Sequence, residues 1–282
     1  MPPLATFGQT GRVTAFWTEI PRDVLTVSGA DALTYLQGQI SQDIRNLGDG
    51  ESVYTFVLQP IGKVDALARV RRVSADEFVV DTDAGYGETL VARLNRFKIR
   101  VAVDIVLSSQ TTIAVRGSDV SIEGATPAWG RLDAFDLFDR AAPAGVRHGT
   151  TDEFDAARIE AGWPAMGSEI TDATIPAETG VVALAVNFTK GCYPGQELVE
   201  RMDSRGSTAP RFVRRLRGEG SAAVGDTVVH DGKAVGALTS VAESDEGWLA
   251  LATISRSVHV SDSVTVTTGA GTVDAAVEQT LV

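Results

Sequence analysis

The chain has 282 residues, 44% of them apolar and 22% charged, an ordinary globular composition that excludes a disordered, collagenous or coiled-coil protein. Its formal charge of −12 argues against gripping nucleic acid by bulk counterion release and against a polybasic membrane dock, since both need a basic face. The single cysteine, Cys192, excludes an intrachain disulfide, a CxxC zinc ribbon and a cluster held by four thiolates of one chain. Residues 1–13 carry neither the basic nor the apolar region of a signal peptide. The apolar run 181–186 is far short of the roughly 20 residues of a membrane span. The expectation is a soluble, cytoplasmic protein with a reduced thiol.

In chain order, 24–27 reads as a short strand, and Ser28 three residues before Asp31 as an acidic variant of the capping box opening a helix over 30–37, with Gly38 as its stop. Residues 52–58 and 63–72 read as a strand pair around the turn Gln59-Pro60-Ile61-Gly62, with a further strand at 77–81. A helix at 90–97 precedes strands at 101–107 and 111–116. Pro, Gly and Ala mark 141–150 as a loop. The helix after it, 153–161, is capped by Thr151 or Asp152 and stopped by Gly162 and Pro164.

Past Arg211 the pattern changes to six short β-like runs, 211–217, 227–230, 233–242, 248–254, 263–267 and 272–279, parted by turns such as Asp231-Gly232. They read as a small C-terminal β-barrel or sandwich. The fold class is therefore α+β, with a mixed sheet and helix region over 1–208 followed by a β-barrel domain over 209–282.

The run Lys190-Gly191-Cys192-Tyr193-Pro194-Gly195-Gln196-Glu197 is the most unusual stretch. Two glycines and a proline make a sharply turning loop that presents an amine, a thiol, a phenol, an amide and a carboxylate together. Lys190 favours the Cys192 thiolate if their side chains converge. The bland alternative is a tight connection around a buried, inert cysteine. The segment Arg158-Ile159-Glu160-Ala161-Gly162 puts Glu160 in the last turn of a helix. A carboxylate there is disfavoured by roughly 0.3–1 kcal/mol unless something positive or hydrogen-donating faces it. The three histidines show no metal-ligand spacing, and no phosphate-cradling glycine motif occurs. Arg211, Arg214, Arg215 and Arg217 read as a solvated strand edge, or as a basic patch for RNA or a polyglutamate tail.

The run KGCYPGQE resembles the motif of the YgfZ family of folate-binding proteins, which are linked to iron–sulfur enzymes and tRNA modification. SGADALTYLQGQISQD, QPIGK and RIEAGWPAMGSE follow the family's order as well, so the resemblance covers nearly the whole chain. The wider superfamily includes the glycine-cleavage T-protein, an aminomethyltransferase. What the resemblance implies is a tetrahydrofolate or a one-carbon derivative as cofactor, with iron–sulfur enzymes or their assembly factors as partners. It makes Cys192 and Lys190 the candidates for chemistry. It makes Glu160, Arg158, Tyr193, Gln196 and Glu197 the candidates for folate contact, Glu160 facing the pterin edge with a fork-to-fork pair of hydrogen bonds. Catalytic T-proteins carry a paired acid after a Gly-Gly turn. Alignment on Gly62 puts Ala66 and Leu67 there and leaves Asp65 one residue out of step, which speaks against the alternative of a folate-dependent aminomethyl- or methyltransferase.

Overall fold

Strand β1 (Phe16–Ser28) runs far upstream of the expected 24–27. Its charged residues interrupt the apolar pattern without interrupting the strand, because each is satisfied. Arg22 pairs with Asp81 and Asp83 of β4 (Glu77–Asp83), and Asp23 accepts the Gly85 and Gly87 N–H groups at 2.8 Å each. β1 is antiparallel to β4 on one side and to β5 (Asp104–Arg116) on the other. β5 is one strand where two were expected. At the expected break Ser108 donates to the Val24 carbonyl and Ser109 to Asp23, so the polar stretch stays in the ladder.

With β2 (Ser52–Leu58), β3 (Val64–Arg72), β6 (Thr126–Pro127) and β7 (Ala134–Leu137), the sheet order is β2-β3-β4-β1-β5-β7-β6, and β8 (Arg147–His148) pairs in parallel with the start of β1. The structure, a computed structural model, describes residues 15–117, 124–204, 209–244 and 247–280. The expectations for residues 1–13, and for a domain boundary at 208, lie outside the described residues.

Strand alternation sends side chains to two faces. On one, Leu25, Val27, Phe78 and Val80 pack against α1 (Ala32–Gln37) and α2 (Gly87–Arg96). Ser28 does not cap α1. It is the last residue of β1, Asp31 takes the N-cap position, and the Asp31 carboxylate accepts the Ala102 N–H instead. On the other face Phe56, Leu58 and Leu67 pack with Trp129, Trp163, Val186 and Tyr193. That layer holds α3 (Thr151–Ala161), α4 (Val182–Ala185) and α5 (Gln196–Ser204). The cap of α3 is Thr150, one residue before the expected pair, in a full capping box with Glu153, and Gly162 ends the helix in the left-handed region at φ 72°. The apolar run after Val181 forms the single helical turn α4.

Strands β9 (Arg211–Gly218), β10 (Thr227–His230), β11 (Lys233–Ser244), β12 (Gly247–Ser255), β13 (Ser263–Thr268) and β14 (Gly271–Glu278) close a barrel in the order β10-β11-β12-β9-β14-β13. Because β9 pairs with both β12 and β14, its arginines do not lie on a strand edge.

Two polar clusters fasten α3 to this barrel. Arg158 donates to the Trp163 carbonyl at 3.0 Å, to Glu169 at 3.1 Å and to Ser240 at 2.8 Å. The fully buried Glu169 carboxylate also accepts from Thr239, Ser240 and the Ala165 N–H. In the second cluster Glu160 and Glu278 alternate with Arg215 and Arg217. Removing one partner of a buried pair strands the other charge, at about 3–5 kcal/mol. Arg158→Ala should therefore lower the unfolding free energy by that order in a urea titration. A loss under 1 kcal/mol would show that Glu169 is not held by this arginine.

Candidate functional site

The Lys190 ammonium reaches across the layer to the end of α1. It donates to the carbonyls of Gln37 at 2.7 Å, Ile40 at 2.5 Å and Gln42 at 3.0 Å. Three N–H groups meet three acceptors, which satisfies carbonyls that a helix end leaves open. Burial pushes the Lys190 pKa down to about 8, with Asp43 opposing the shift. The ammonium has no donor left for Cys192, whose side chain is exposed. The expected amine–thiol partnership is thus replaced by a clasp between the loop and α1.

Gly195 (φ 85°) follows two residues after the buried Tyr193. A Cβ on Gly195 would lie 2.6 Å from the Gln59 carbonyl oxygen, and one on Gly62 (φ 87°) would lie 2.5 Å from Leu198 Cβ. The QPIGK turn and the cysteine loop therefore interlock through two positions where only glycine fits. Gln196 starts α5 and accepts the Tyr193 N–H at 3.4 Å while donating to Glu200 at 2.6 Å. Glu197 lies in the first turn, favourable to the helix dipole, and pairs with Arg201 in solvent.

A separate cavity of about 320 Å³ lies between β1, β3 and α3. Tyr54, Trp129, Phe154 and Trp163 form its aromatic wall, and Arg22, Asp83, Arg116 and Asp136 are among its charged lining. Those charges belong to a buried chain of alternating sign. Asp81 accepts from Arg22 at 2.8 Å and from Arg69 at 3.1 Å, and Asp136 pairs with Arg69 and with Arg116 at 2.9 Å each. Burial alone would raise the Asp136 pKa, but Arg116 and then Arg69 outweigh it and hold the carboxyl below its usual range.

Arg116 spends Nη1 on the Phe135 carbonyl at 2.7 Å and Nη2 on Asp136, while its buried Nε has no hydrogen-bond partner among the described residues. Its guanidinium lies 4.0 Å from the Trp129 ring centroid, within cation–π range. Trp129 holds a left-handed backbone (φ 56°), and its N–H donates to the Tyr54 hydroxyl at 2.9 Å. A bulky residue held in this region marks strain of the kind that clusters at ligand sites.

Of the expected folate contacts, Arg158 lines this cavity, whereas no residue of the 190–197 run does. Glu160 lines an adjoining cavity of about 40 Å³ that shares Arg116 and Trp129. Its carboxylate accepts from Arg215 at 3.3 Å and Arg217 at 3.1 Å, which supplies the positive partner its helix-end position demands. In the acid-pair region Leu67, opposite Phe56, faces the 320 Å³ cavity, and Asp65, the extra residue of a β-bulge opposite Val57 and Leu58, turns to Arg93 at 3.8 Å. Arg116, Trp129, Tyr54 and Asp136 were not singled out from sequence. They come from separate strands and loops, and no local spacing marks them.

Among the described residues no group of three or more His, Cys, Asp or Glu side chains is placed to hold a metal ion, and no helix is long and apolar enough to cross a membrane.

The architecture is that of the glycine-cleavage T-proteins. The crystal structure of glycine cleavage system aminomethyltransferase T from Bartonella henselae superposes with a TM-score of 0.80 over 96% of this chain and 87% of that one, at 17% identity. No family model matches the chain. A Mycosarcoma maydis protein named iron–sulfur cluster assembly factor IBA57 homolog is 28% identical, over 75% of this chain and 61% of its own length. A Cronobacter sakazakii protein named tRNA-modifying protein YgfZ is also 28% identical, over 70% of this chain and 69% of its own. The chain thus carries the T-protein fold and is similar in sequence to proteins named YgfZ and IBA57 homolog.

Because the folded-state pKa of Lys190 lies below its ordinary value of 10.5, the unfolded chain binds that proton more tightly between about pH 8 and 10.5. Its contribution to stability therefore becomes more favourable as pH rises through that window. The difference in unfolding free energy between the parent and Lys190→Met should widen from pH 8 to 10.5, and a narrowing would contradict the assignment. For Cys192, iodoacetamide should alkylate the folded protein within roughly threefold of its rate on the unfolded chain, as an unburied thiol does. Protection of tenfold or more would place the thiol in the interior.

Proposed function

We propose that the protein binds a tetrahydrofolate in the 320 Å³ cavity and supports iron–sulfur enzymes, tRNA-modifying enzymes among them. The observation that carries the ligand assignment is the aromatic-walled cavity itself, with Arg116 among its charged lining. The volume lies within the roughly 300–1,000 Å³ range of small-molecule sites, and the resemblance to folate-binding proteins supplies the ligand class. The lining fits a flat heterocycle: Tyr54, Trp129 and Trp163 supply aromatic walls, and Arg22, Asp83 and Arg158 are polar groups of the same lining. Bound tetrahydrofolate supplies a carrier for one-carbon units.

The cellular role is extended from the relatives whose printed names are an iron–sulfur assembly factor and a tRNA-modifying protein. Cys192 supports it as an exposed thiol on the cysteine loop, whose Lys190 and Gly195 serve the fold. One thiolate cannot hold a four-thiolate cluster, so its contact with a client's cluster is transient or shared. The role is not aminomethyl transfer. Leu67 faces the cavity in the region where T-proteins carry their acid pair, and Asp65 is held at Arg93.

The test is anaerobic calorimetry with a panel of reduced folates, alongside the fluorescence of Trp129 and Trp163. One site per chain with quenching is expected. Leu67→Trp, which fills the cavity, should weaken binding at least tenfold while the protein stays folded by circular dichroism. A parent protein that gives no saturable signal with any reduced folate overturns the ligand assignment.

A further inference from the structure

A larger cavity, about 610 Å³, lies on another part of the molecule, where α4 and α5 meet β9. Its walls are apolar, with Val182, Phe188, Val199 and Phe212 among them, and Phe188 is one of the exposed large apolar side chains. Phe188 and Val199 bracket the 190–197 loop in sequence, so the cavity sits against the segments that carry Cys192. Strand alternation turns Phe212 and Arg214 to this side and Val213 and Arg215 to the other.

Arg214 is the unusual element. The other three arginines of β9 each meet an acid: Arg211 meets Glu178, and Arg215 and Arg217 meet Glu160 and Glu278. Among the described residues Arg214 has no carboxylate within ion-pair distance. Its Nε is buried without a hydrogen-bond partner, its Nη1 reaches only the Val213 carbonyl at 3.4 Å, and its guanidinium lies 4.8 Å from the Phe212 ring centroid. Burial pushes its pKa down, with no acid opposing the shift. The one acid on the lining, Asp203, is exposed to water at the end of α5. A half-buried guanidinium that keeps its charge in an apolar setting needs an anion, because desolvating it without one is costly.

We propose that this cavity binds an amphipathic organic monoanion, with its carboxylate or sulfonate on Arg214 and its apolar body against Phe188, Val199 and Phe212. The site is independent of the folate reading, since it shares no lining residue with the 320 Å³ cavity. The charge complement excludes neutral apolar ligands as the preferred occupants, and the volume admits a bicyclic ring or a medium acyl chain.

The test uses the full chain and two dyes of similar shape, the anion 1-anilinonaphthalene-8-sulfonate and the neutral N-phenyl-1-naphthylamine, each followed by fluorescence. Saturable binding of the anionic dye at one site, displaced by decanoate, is expected. Arg214→Met should raise its dissociation constant at least tenfold while changing that of the neutral dye less than twofold. Ala183→Trp, at an exposed lining position, should weaken both dyes at least tenfold. Arg214→Lys, which keeps the charge, should stay within about fivefold of the parent for the anion and so separates lost charge from misfolding. Three results would overturn the proposal: no saturable anion binding, equal anion affinity in Arg214→Met, or indifference of both dyes to Ala183→Trp.

Discussion

The chain of alternating charges Arg22, Asp81, Arg69, Asp136 and Arg116 is the constraint on which the central sheet depends. A lone buried guanidinium or carboxylate is untenable in an apolar interior, and here each interior member has an opposite charge on either side. The chain ties β1, β3, β4, β5 and β7 together at the level of side chains, across the ladder bonds that already join them. It also forms part of the lining of the 320 Å³ cavity. Stability and recognition draw on the same residues, so charge at this site cannot be redesigned without disturbing the sheet.

The cysteine loop divides its labour in a comparable way. Lys190 and Gly195 answer to the fold, one by closing the end of α1 and the other by admitting the Gln59 carbonyl. Tyr193 is buried in the second core. Cys192 is exposed, and so its thiol is open to an outside partner. A short motif can thus be mostly architecture and still present one reactive atom.

How much of this was legible in the sequence depends on whether the cause was local. The barrel strands and the stop at Gly162 follow from turn residues and periodicity, and all were read. β1 was read as only its last apolar stretch, because Arg22 and Asp23 look like solvent-facing residues until Asp81, Asp83 and the Gly85–Gly87 backbone are known to meet them. The split of β5 failed for the same reason: Ser108 and Ser109 read as a turn but bond to the neighbouring strand. Glu160 was read correctly as a carboxylate needing a positive partner, yet the partners are Arg215 and Arg217 of the barrel. Of the central cavity only Arg158 and Leu67 were singled out in the sequence, since its walls are gathered from segments between Glu19 and Met166 that touch only after folding.

The Lys190 clasp also bears on how the protein is made. The carbonyls of Gln37, Ile40 and Gln42 emerge from the ribosome early, but their donor is some 150 residues further along the chain. Until Lys190 has been made the end of α1 must hold its carbonyls in water, whereas β1 gains its partners β4 and β5 earlier. Contacts of such sequence separation favour late, concerted closure over stepwise growth. The cysteine loop therefore takes its final form only once the loop itself has been made, so a shorter nascent chain carries the end of α1 without its donor.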